Sequence, residues 1–506
     1  MSTTLAKQAL PFTPYLQNEI FTIEGCLDYR EFRELLTRTD ELLRLSGIEA
    51  DYVEQWVKGL KLPARYLKSV GVIAKQQEHA SRAIRCTILR VLMGCDYREL
   101  SVRLSDSVLL RWFIGLGDLR QIPSPSKSTL ERYEKQVPEE VIRGLTQKLI
   151  RLAGEPEKDG HQVLGLAQEV KLDTYFLDMT CVKGMIHFPV DWVLLRDAVR
   201  TLVKAMKLIR VQGLKHRMPE PEVFLKSINQ QSMAMSLQAR RKDSKKNRKR
   251  ILRNMKKIAR TVEAHATRYR DLLDRQWENT EWTRPAVEVI LKRMDSVLEQ
   301  LPDAIRQAHE RIIGERPVDN GDKILSMYEH DMNVVVRGKA GAAVEFGNTL
   351  RLGEVVSGLI IDWKLYQNQA PADSHVAMEG LNEVQKQFPG KIKTLVMDRG
   401  GDSKANVKTL EVIGVENGIC PRNPQKLSEK MKDGTFRQWQ TRRAQTEARI
   451  GIFKNCFLGR PFRSKGFEHR ELLVSWGVLV HNLWVIARME KIRKEDPDEE
   501  LLEVTT

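Results

Sequence analysis

Three acidic residues in this chain could act together on a metal ion: Asp178, Asp398 and Glu447. Asp398 follows the apolar segment Thr394–Met397 and precedes Arg399-Gly400-Gly401. A side chain at the carboxyl end of a strand, before a glycine turn into a helix, points into the crevice where α/β folds bind ligands. The alternative is an aspartate that caps a helix or a turn, which is a common structural role.

Asp178 lies in a segment, residues 170–180, whose composition predicts another strand. Its neighbours include Phe176, Leu177 and Met179, and an unpaired carboxylate buried among such residues is costly. We therefore expect Asp178 to face a polar cleft or to have a partner. Asp173, five residues earlier, is the alternative for the same role.

Glu447 lies on a helix predicted over residues 438–455. At 100° per residue, Arg443, Glu447 and Lys454 fall within about 40° of one another, so they share one face of that helix. The alternative is a surface ion pair between Arg443 and Glu447, which contributes only a few tenths of a kcal/mol.

Three carboxylates on two strands and a later helix suit phosphodiester chemistry with two metal ions. Magnesium prefers hard oxygen ligands and keeps several waters, so few protein carboxylates suffice. Two ions about 3.5–4 Å apart activate the attacking oxygen and neutralise charge on the leaving oxygen. We expect the three carboxylates to converge although Asp178 and Asp398 are far apart in sequence.

The balance of charge points to a polyanionic partner. The 506 residues include 83 Lys and Arg against 67 Asp and Glu, which gives a net charge of +16, and nucleic acid is the commonest partner of so basic a chain. The densest run holds eleven basic residues against one acid, and it predicts contact with the DNA backbone or, alternatively, a solvated helix face. Those basic residues are Arg240, Arg241, Lys242, Lys245, Lys246, Arg248, Lys249, Arg250, Arg253, Lys256 and Lys257.

The order of predicted elements indicates a helical region, a strand, a helical block and then an α/β region. Residues 1–150 are expected to form a helical N-terminal domain that could bind DNA, with a capping box at Ser128-Thr129-Leu130-Glu131 starting one helix. Strands are predicted at 333–337, 343–352, 354–365, 392–397 and 415–421, and helices at 373–388 and 470–492. An acidic tail, residues 493–506, closes the chain.

We expect no secretory signal, and the cysteines form no CxxC pair. The six cysteines are scattered singly, which favours a reducing compartment over a disulfide framework or a zinc ribbon. The N-terminus has no continuous apolar segment of the secretory type. The most apolar stretch, Leu472 to Ala487, is too short to span a bilayer, and it predicts a buried helix.

Four segments in order resemble those of DDE-type transposases of bacterial insertion sequences. Gln440 stands where that family has tyrosine in its Tyr-(2)-Arg-(3)-Glu-(6)-Lys signature, whereas the Arg, Glu and Lys positions match. The resemblance covers roughly residues 80–490. The matching segments are Asp178-Met-Thr180 with Ile186-His-Phe-Pro189-Val-Asp191, Arg337-Gly-Lys339 with Glu345-Phe-Gly347, Val396-Met-Asp398-Arg-Gly400, and Arg443, Glu447 and Lys454.

This resemblance implies an α/β RNase H-like catalytic core, a mixed sheet with flanking helices, over residues 165–492, interrupted by a basic helical insertion at about 205–325. It implies that Asp178, Asp398 and Glu447 bind two Mg²⁺ or Mn²⁺ ions, and that Arg443 and Lys454 contact phosphate or orient Glu447. The implied partners are double-stranded DNA, as transposon ends and target, and further copies of this chain on that DNA. The implied location is the bacterial cytoplasm, with the nucleoid.

Three other functions fit some of these features. A metal-dependent nuclease would use the same carboxylates without joining DNA. A DNA-binding protein derived from a transposase would no longer catalyse, although such a protein has no need to keep all three acids. An RNA-binding or ribosome-associated protein would explain the charge but not the ordered acidic segments.

Overall fold

Helices dominate the first part of the protein and a mixed sheet the later part. The computed structural model describes residues 25–61, 63, 69–116, 123–156, 162–238, 244–339, 342–459 and 462–491. The acidic tail therefore lies outside the described residues, as do Arg240, Arg241 and Lys242 of the basic run. The helices before the sheet are α1 (Leu27–Ser46), α2 (Ile48–Lys58), α3 (Val70–Leu92), α4 (Tyr97–Asp106), α5 (Val108–Phe113), α6 (Lys127–Lys135) and α7 (Glu139–Ala153).

Helix α6 begins earlier than the predicted capping box. Ser126 is its N-cap, and the Ser126 hydroxyl accepts a hydrogen bond from the Thr129 backbone N–H. The prediction of a start at Ser128 is therefore wrong, because the serine after Pro125 already satisfies the first free N–H groups of the helix.

The remaining described elements are six strands and the helices between and after them. They are β1 (Thr174–Lys183), α8 (Asp191–Val211), α9 (Pro221–Gln238), α10 (Lys245–Gln276), α11 (Arg284–Ala308), β2 (Asn333–Lys339), β3 (Ala342–Glu354), β4 (Ile360–Leu365), α12 (Asp373–Gln387), β5 (Thr394–Met397), α13 (Lys404–Ile413), β6 (Glu416–Asn417), α14 (Pro424–Lys430), α15 (Gly434–Ile452) and α16 (Phe467–Ala487). The predicted strand 354–365 is wrong at its start. Strand β3 ends at Glu354, the chain turns at Gly358, whose φ is 92°, and β4 begins only at Ile360.

The described strands form one open, mixed sheet in the order β2-β3-β1-β5-β6, with β4 paired to β3. Strand β3 pairs antiparallel with both β2 and β4. Strand β5 pairs parallel with β1 and with the short β6. The protein is thus a mixed α/β fold with many helices, as the sequence predicts at this coarse level.

The chain forms two compact units. The first comprises Met1–Val182, Leu350–Tyr366 and Ala370–Thr506, and the second comprises Lys183–Thr349 and Gln367–Gln369. The helices before residue 154 share the core of the first unit with β1, β4 and α16 rather than a core of their own. In the second unit, helices α8 to α11 surround a separate core that includes Leu202, Met255 and Val297.

Helix α16 includes the apolar segment Leu472–Ala487, which forms a buried helix as predicted. This helix contains a buried histidine. His481 packs edge-on against the rings of Phe453 and Phe457, and its Nδ1 lies 3.3 Å from Asn482 Oδ1. Burial lowers the pKa of His481 to about 4. Among the residues that the structure describes, none of the helices combines the length and apolar character needed to cross a bilayer.

The depressed pKa of His481 predicts a loss of stability in acid. The unfolded chain takes up this proton below the ordinary pKa of 6.5 and the folded chain only near 4, so the free energy of unfolding falls as the pH drops between these values. From pH 7.5 to 4.5 the contribution lost is about 2–3 kcal/mol. Urea unfolding of His481→Leu should show that much less loss than the wild type, and an equal loss in both proteins would contradict the assignment.

Candidate active site

Asp178 and Asp398 are brought together by two parallel strands. Strands β1 and β5 pair in register from Thr174 opposite Thr394 to Leu177 opposite Met397. The next residue on each strand is an aspartate. Neighbouring strands lie about 4.8 Å apart and residues in register point to the same face, so the two carboxylates emerge side by side where β5 ends.

Asp173, the alternative to Asp178, lies at the opposite end of this strand pair. Its carbonyl oxygen accepts hydrogen bonds from the backbone N–H groups of Lys393 and Thr394, at 2.8 and 3.0 Å. Its carboxylate accepts a hydrogen bond from the Thr174 hydroxyl. Five residues of strand separate it from Asp178 by about 17 Å, so the pairing favours Asp178.

The Asp398 carboxylate also caps a turn, as the alternative interpretation expected. Its Oδ1 accepts a hydrogen bond of 2.9 Å from the Gly400 N–H at the start of the 3₁₀ turn Arg399–Gly401. That bond fixes the orientation of the carboxylate beside β5. The capping role and a role in the site are therefore compatible.

A fourth carboxylate, which the sequence did not single out, lies close to Asp398. Asp373 is the first residue of α12. A Cβ atom on Gly400 would overlap the Asp373 carboxylate and come within 2.9 Å of Asp398 Oδ1. Both carboxylates thus lie against the same glycine, and only glycine allows it. An acid in the first turn of a helix ordinarily complements the helix dipole, so the sequence carried no signal for this proximity.

Glu447 approaches the site from α15. Its side chain is 58% exposed, and its Oε1 lies 3.8 Å from Arg443 Nη1. Arg443 in turn donates to Gln440 Oε1, and Gln440 Nε2 donates to the Gly418 carbonyl at 2.7 Å. Gln440, which stands where the transposase signature has tyrosine, therefore links Arg443 to the backbone just after β6.

Lys454 contacts the first strand of the site directly. It lies in the π-helical turn Phe453–Phe457 that follows α15, and its Nζ donates to the Thr180 hydroxyl at 3.0 Å. Thr180 is two residues beyond Asp178, and residues at that spacing share one face of a strand. Lys454 and Asp178 therefore lie on the same face of β1.

A buried acid, Glu354 at the end of β3, anchors α15. Its Oε1 accepts hydrogen bonds from Arg442 at 2.8 Å and from the Thr446 hydroxyl at 2.7 Å. Arg449 approaches its other oxygen, Oε2, at 3.6 Å. Because these three partners flank Glu447 in the helix, the Glu354 cluster sets the position of Glu447, and the sequence analysis missed it.

The electrostatics of the site are those of crowded carboxylates. Burial, together with the charges of Asp398 and Glu447, raises the pKa of Asp178 to about 6. A hydrogen bond from the Met179 N–H and the charge of Arg443 act in the opposite direction. The site thus gathers negative charge that a cation would offset.

The donor set suits a hard divalent cation, although the protein alone does not assemble a closed cage. Within the described ranges, no group of three or more His, Cys, Asp or Glu side chains is arranged to hold a metal ion. Asp178 and Asp398 supply adjacent carboxylate oxygens, and magnesium keeps several waters of its own. The predicted third ligand, Glu447, would have to move inward from its exposed position.

The described part of the basic run lies on α10, where its cations differ in surroundings. Lys245 and Lys249 both pair with Glu315, Arg248 lies over the Trp192 ring, and Lys256 Nζ lies 2.9 Å from His309 Nδ1. The others that the structure describes are exposed to solvent: Lys246, Arg250, Arg253 and Lys257. The predicted DNA-binding residues are therefore divided between side chains held by the protein and side chains open to a partner.

The function of this site is inferred from its geometry and from the sequence motifs. No protein-family model, curated protein or solved structure matches the chain.

Proposed function

We propose that this chain is a DDE transposase of a bacterial insertion sequence that cleaves transposon ends and joins them to target DNA. The observation that carries the proposal is the parallel register of β1 and β5, which sets Asp178 beside Asp398. The open mixed sheet with flanking helices supports an RNase H-like core. Double-stranded DNA is the proposed substrate, bound by two or more copies of the chain in the bacterial cytoplasm.

Each residue of the site has a proposed role. Asp178, Asp398 and Glu447 hold two Mg²⁺ or Mn²⁺ ions, which when bound supply activation of the attacking oxygen and neutralisation of the leaving oxygen. Arg443 and Lys454 place positive charge beside the carboxylates, where it favours a phosphate. Glu447 is exposed before DNA binds, so its inward movement completes the ligand set.

The raised pKa of Asp178 predicts that the site is destabilising without metal. A carboxyl group whose pKa is raised from its ordinary 3.8 to about 6 in the folded state lowers the free energy of unfolding as the pH rises from 3.8 to about 6, and the full cost is present above that value. Asp178→Asn should therefore raise the free energy of unfolding in EDTA at pH 7.5 by about 1–3 kcal/mol, and by less at pH 4.5. Urea unfolding measures the gain, with Asp173→Asn as the matched change at the other end of the strand. No gain at pH 7.5 would contradict the crowding of charge at Asp178.

Metal-dependent cleavage tests the proposed function. Supercoiled plasmid carrying the DNA that flanks the reading frame is incubated with the protein in Mg²⁺, in Mn²⁺ and in EDTA. The proposal predicts cuts at the element's ends in both metals and none in EDTA. Cleavage that continues in EDTA, or no cleavage with either metal, would contradict it.

A further inference from the structure

One face of α10 is exposed, long and free of acids. Among the described residues of this helix from Lys245 to Arg268, every exposed position is basic or uncharged. The acid in this stretch, Glu263, is half-buried. The exposed positions are Lys245, Lys246, Asn247, Arg250, Arg253, Asn254, Lys257, Arg260, Thr261, Ala264, Thr267 and Arg268.

Five of these cations form a line along the helix, which we call the basic stripe: Lys246, Arg250, Arg253, Lys257 and Arg260. They recur every three or four residues, so at 100° per residue they lie within about 80° of one another. Arg268 continues the same direction beyond the small residue Ala264; its Nη1 lies 3.1 Å from His216 Nε2, but its side chain stays exposed, whereas Lys256 is half-buried. From Lys246 to Arg268 the helix rises about 33 Å, close to one turn of B-DNA, about 34 Å.

Within the described part of the chain, no carboxylate forms an ion pair with the cations of the basic stripe, although the charge of Arg260 acts on the half-buried Glu263. Glu315 instead holds Lys245 and Lys249, at 3.0 and 2.8 Å. Glu315 has φ 54°, a conformation that is strained for a non-glycine residue. Glu315 is thus engaged by Lys245 and Lys249 rather than by the basic stripe.

The opposite face of α10 is fully used by the core of the second unit. Leu252, Met255, Val262, Tyr269 and Leu273 are completely buried. A basic helix that binds a membrane surface needs a free apolar face to insert between lipids. Helix α10 has no free apolar face, so the partner that it suits is a polyanion, which is bound through positive charge and hydrogen-bond donors alone.

We propose that the basic stripe and Arg268 bind the backbone of double-stranded DNA laid along α10, over about one helical turn and without reading its sequence. The inference rests on the proposed function for the choice of DNA. It assigns contact to Arg260 and Arg268, which lie outside the sequence-predicted basic run, and a structural role to Arg248, Lys249 and Lys256. Phosphate contacts position a protein but carry no sequence information directly.

Two matched triple variants test this division of the cations. The stripe variant loses three charges of the basic stripe through Lys246→Gln, Arg250→Gln and Lys257→Gln. The control variant carries Arg248→Gln, Lys249→Gln and Lys256→Gln. It loses the same residue types from the same helix, but at positions whose side chains contact Trp192, Glu315 and His309. Circular dichroism and urea unfolding establish that both variants fold.

Affinity for a random 30-base-pair duplex is measured in EDTA over a range of salt concentrations. Each phosphate contact adds about 0.9 to the slope of log K against log salt, so the stripe variant should lose about 2.7 and the control variant less than about 1. Equal losses in the two variants, an unchanged slope in the stripe variant, or wild-type binding to anionic vesicles as tight as to DNA would overturn the inference.

The binding assay and the cleavage assay can contradict the stripe inference and the proposed function independently of each other. If the salt slope of the stripe variant falls by about 2.7 while the wild type never cuts DNA in metal, the stripe inference stands and the proposed transposase activity does not. If the wild type cuts DNA but the stripe variant binds as the wild type does, the stripe inference alone is overturned.

Discussion

Replacing Asp178 or Asp398 with alanine is expected to lower the rate of DNA cleavage in Mg²⁺ by at least about a thousandfold, because each removes a ligand whose metal supplies several kcal/mol of transition-state stabilisation. Glu447→Ala should have an effect of the same order if its side chain completes the set. Binding of DNA in EDTA should be unchanged or tighter, since an acid facing the polyanion is gone. Single-turnover cleavage and duplex affinity measure the two effects.

Asp173→Ala is the control for these variants. It removes a carboxylate from the same strand about 17 Å from Asp178, so it should leave the cleavage rate within a few-fold of the wild type. If Asp173→Ala abolished cleavage, or if either Asp178→Ala or Asp398→Ala cut DNA at a near wild-type rate, the assignment of the carboxylate pair would be wrong.

Glu354→Ala is expected to cost about 3–5 kcal/mol of folding stability, the usual penalty for leaving the partners of a buried ion pair unpaired. Glu354 is 4% exposed, and it holds both Arg442 and the Thr446 hydroxyl. Because this cluster anchors α15, the variant should also cut DNA more slowly under conditions where it remains folded. Urea unfolding and single-turnover cleavage report the two losses.

Glu354→Gln separates charge from shape at this position. The amide keeps an oxygen for Thr446 but no longer neutralises Arg442 and Arg449, so an intermediate loss of stability is expected. A cost below about 1 kcal/mol for Glu354→Ala would show that the arginines find water or other partners, and that α15 is held in place by other contacts.

The sequence singled out Asp178 and Asp398 as candidates because their signals are local. Asp398 follows an apolar run where β5 ends, and Asp178 lies within β1 among apolar neighbours, where an unpaired carboxylate would be costly. The register that sets them side by side could not be predicted, since it depends on pairing between segments more than 200 residues apart. Asp373 was missed for the same reason, because its proximity to Asp398 arises only when α12 packs against the turn at Gly400.

The types of the helices and strands were more predictable than their boundaries or their division into compact units. The helix predicted at 373–388 ends one residue earlier in the structure, whereas the strand predicted at 415–421 shrinks to Glu416–Asn417. Apolar periodicity fixes the type of an element, but its ends depend on caps and on partner strands. The N-terminal helices share their core with the sheet, a tertiary result that their own pattern does not contain.

Charge density alone could not separate binding cations from structural ones. The basic run predicted a single DNA-contacting surface, yet Lys249 and Lys256 are half-buried against Glu315 and His309. The partner acid lies about seventy residues away in the chain, beyond any local pattern. Once the buried face of α10 is known, the angular position of each residue around the helix separates the exposed basic stripe from the cations held by the protein.

Strand joining is the measurement that tests the transposase proposal most directly. A donor plasmid carrying the DNA that flanks the reading frame is incubated with the protein, Mg²⁺ and a second plasmid as target, and the products are sequenced. The proposal predicts element ends joined to target DNA by the wild type and none by Asp398→Ala. Cut ends that accumulate without joining would contradict it, and would leave a metal-dependent nuclease in its place.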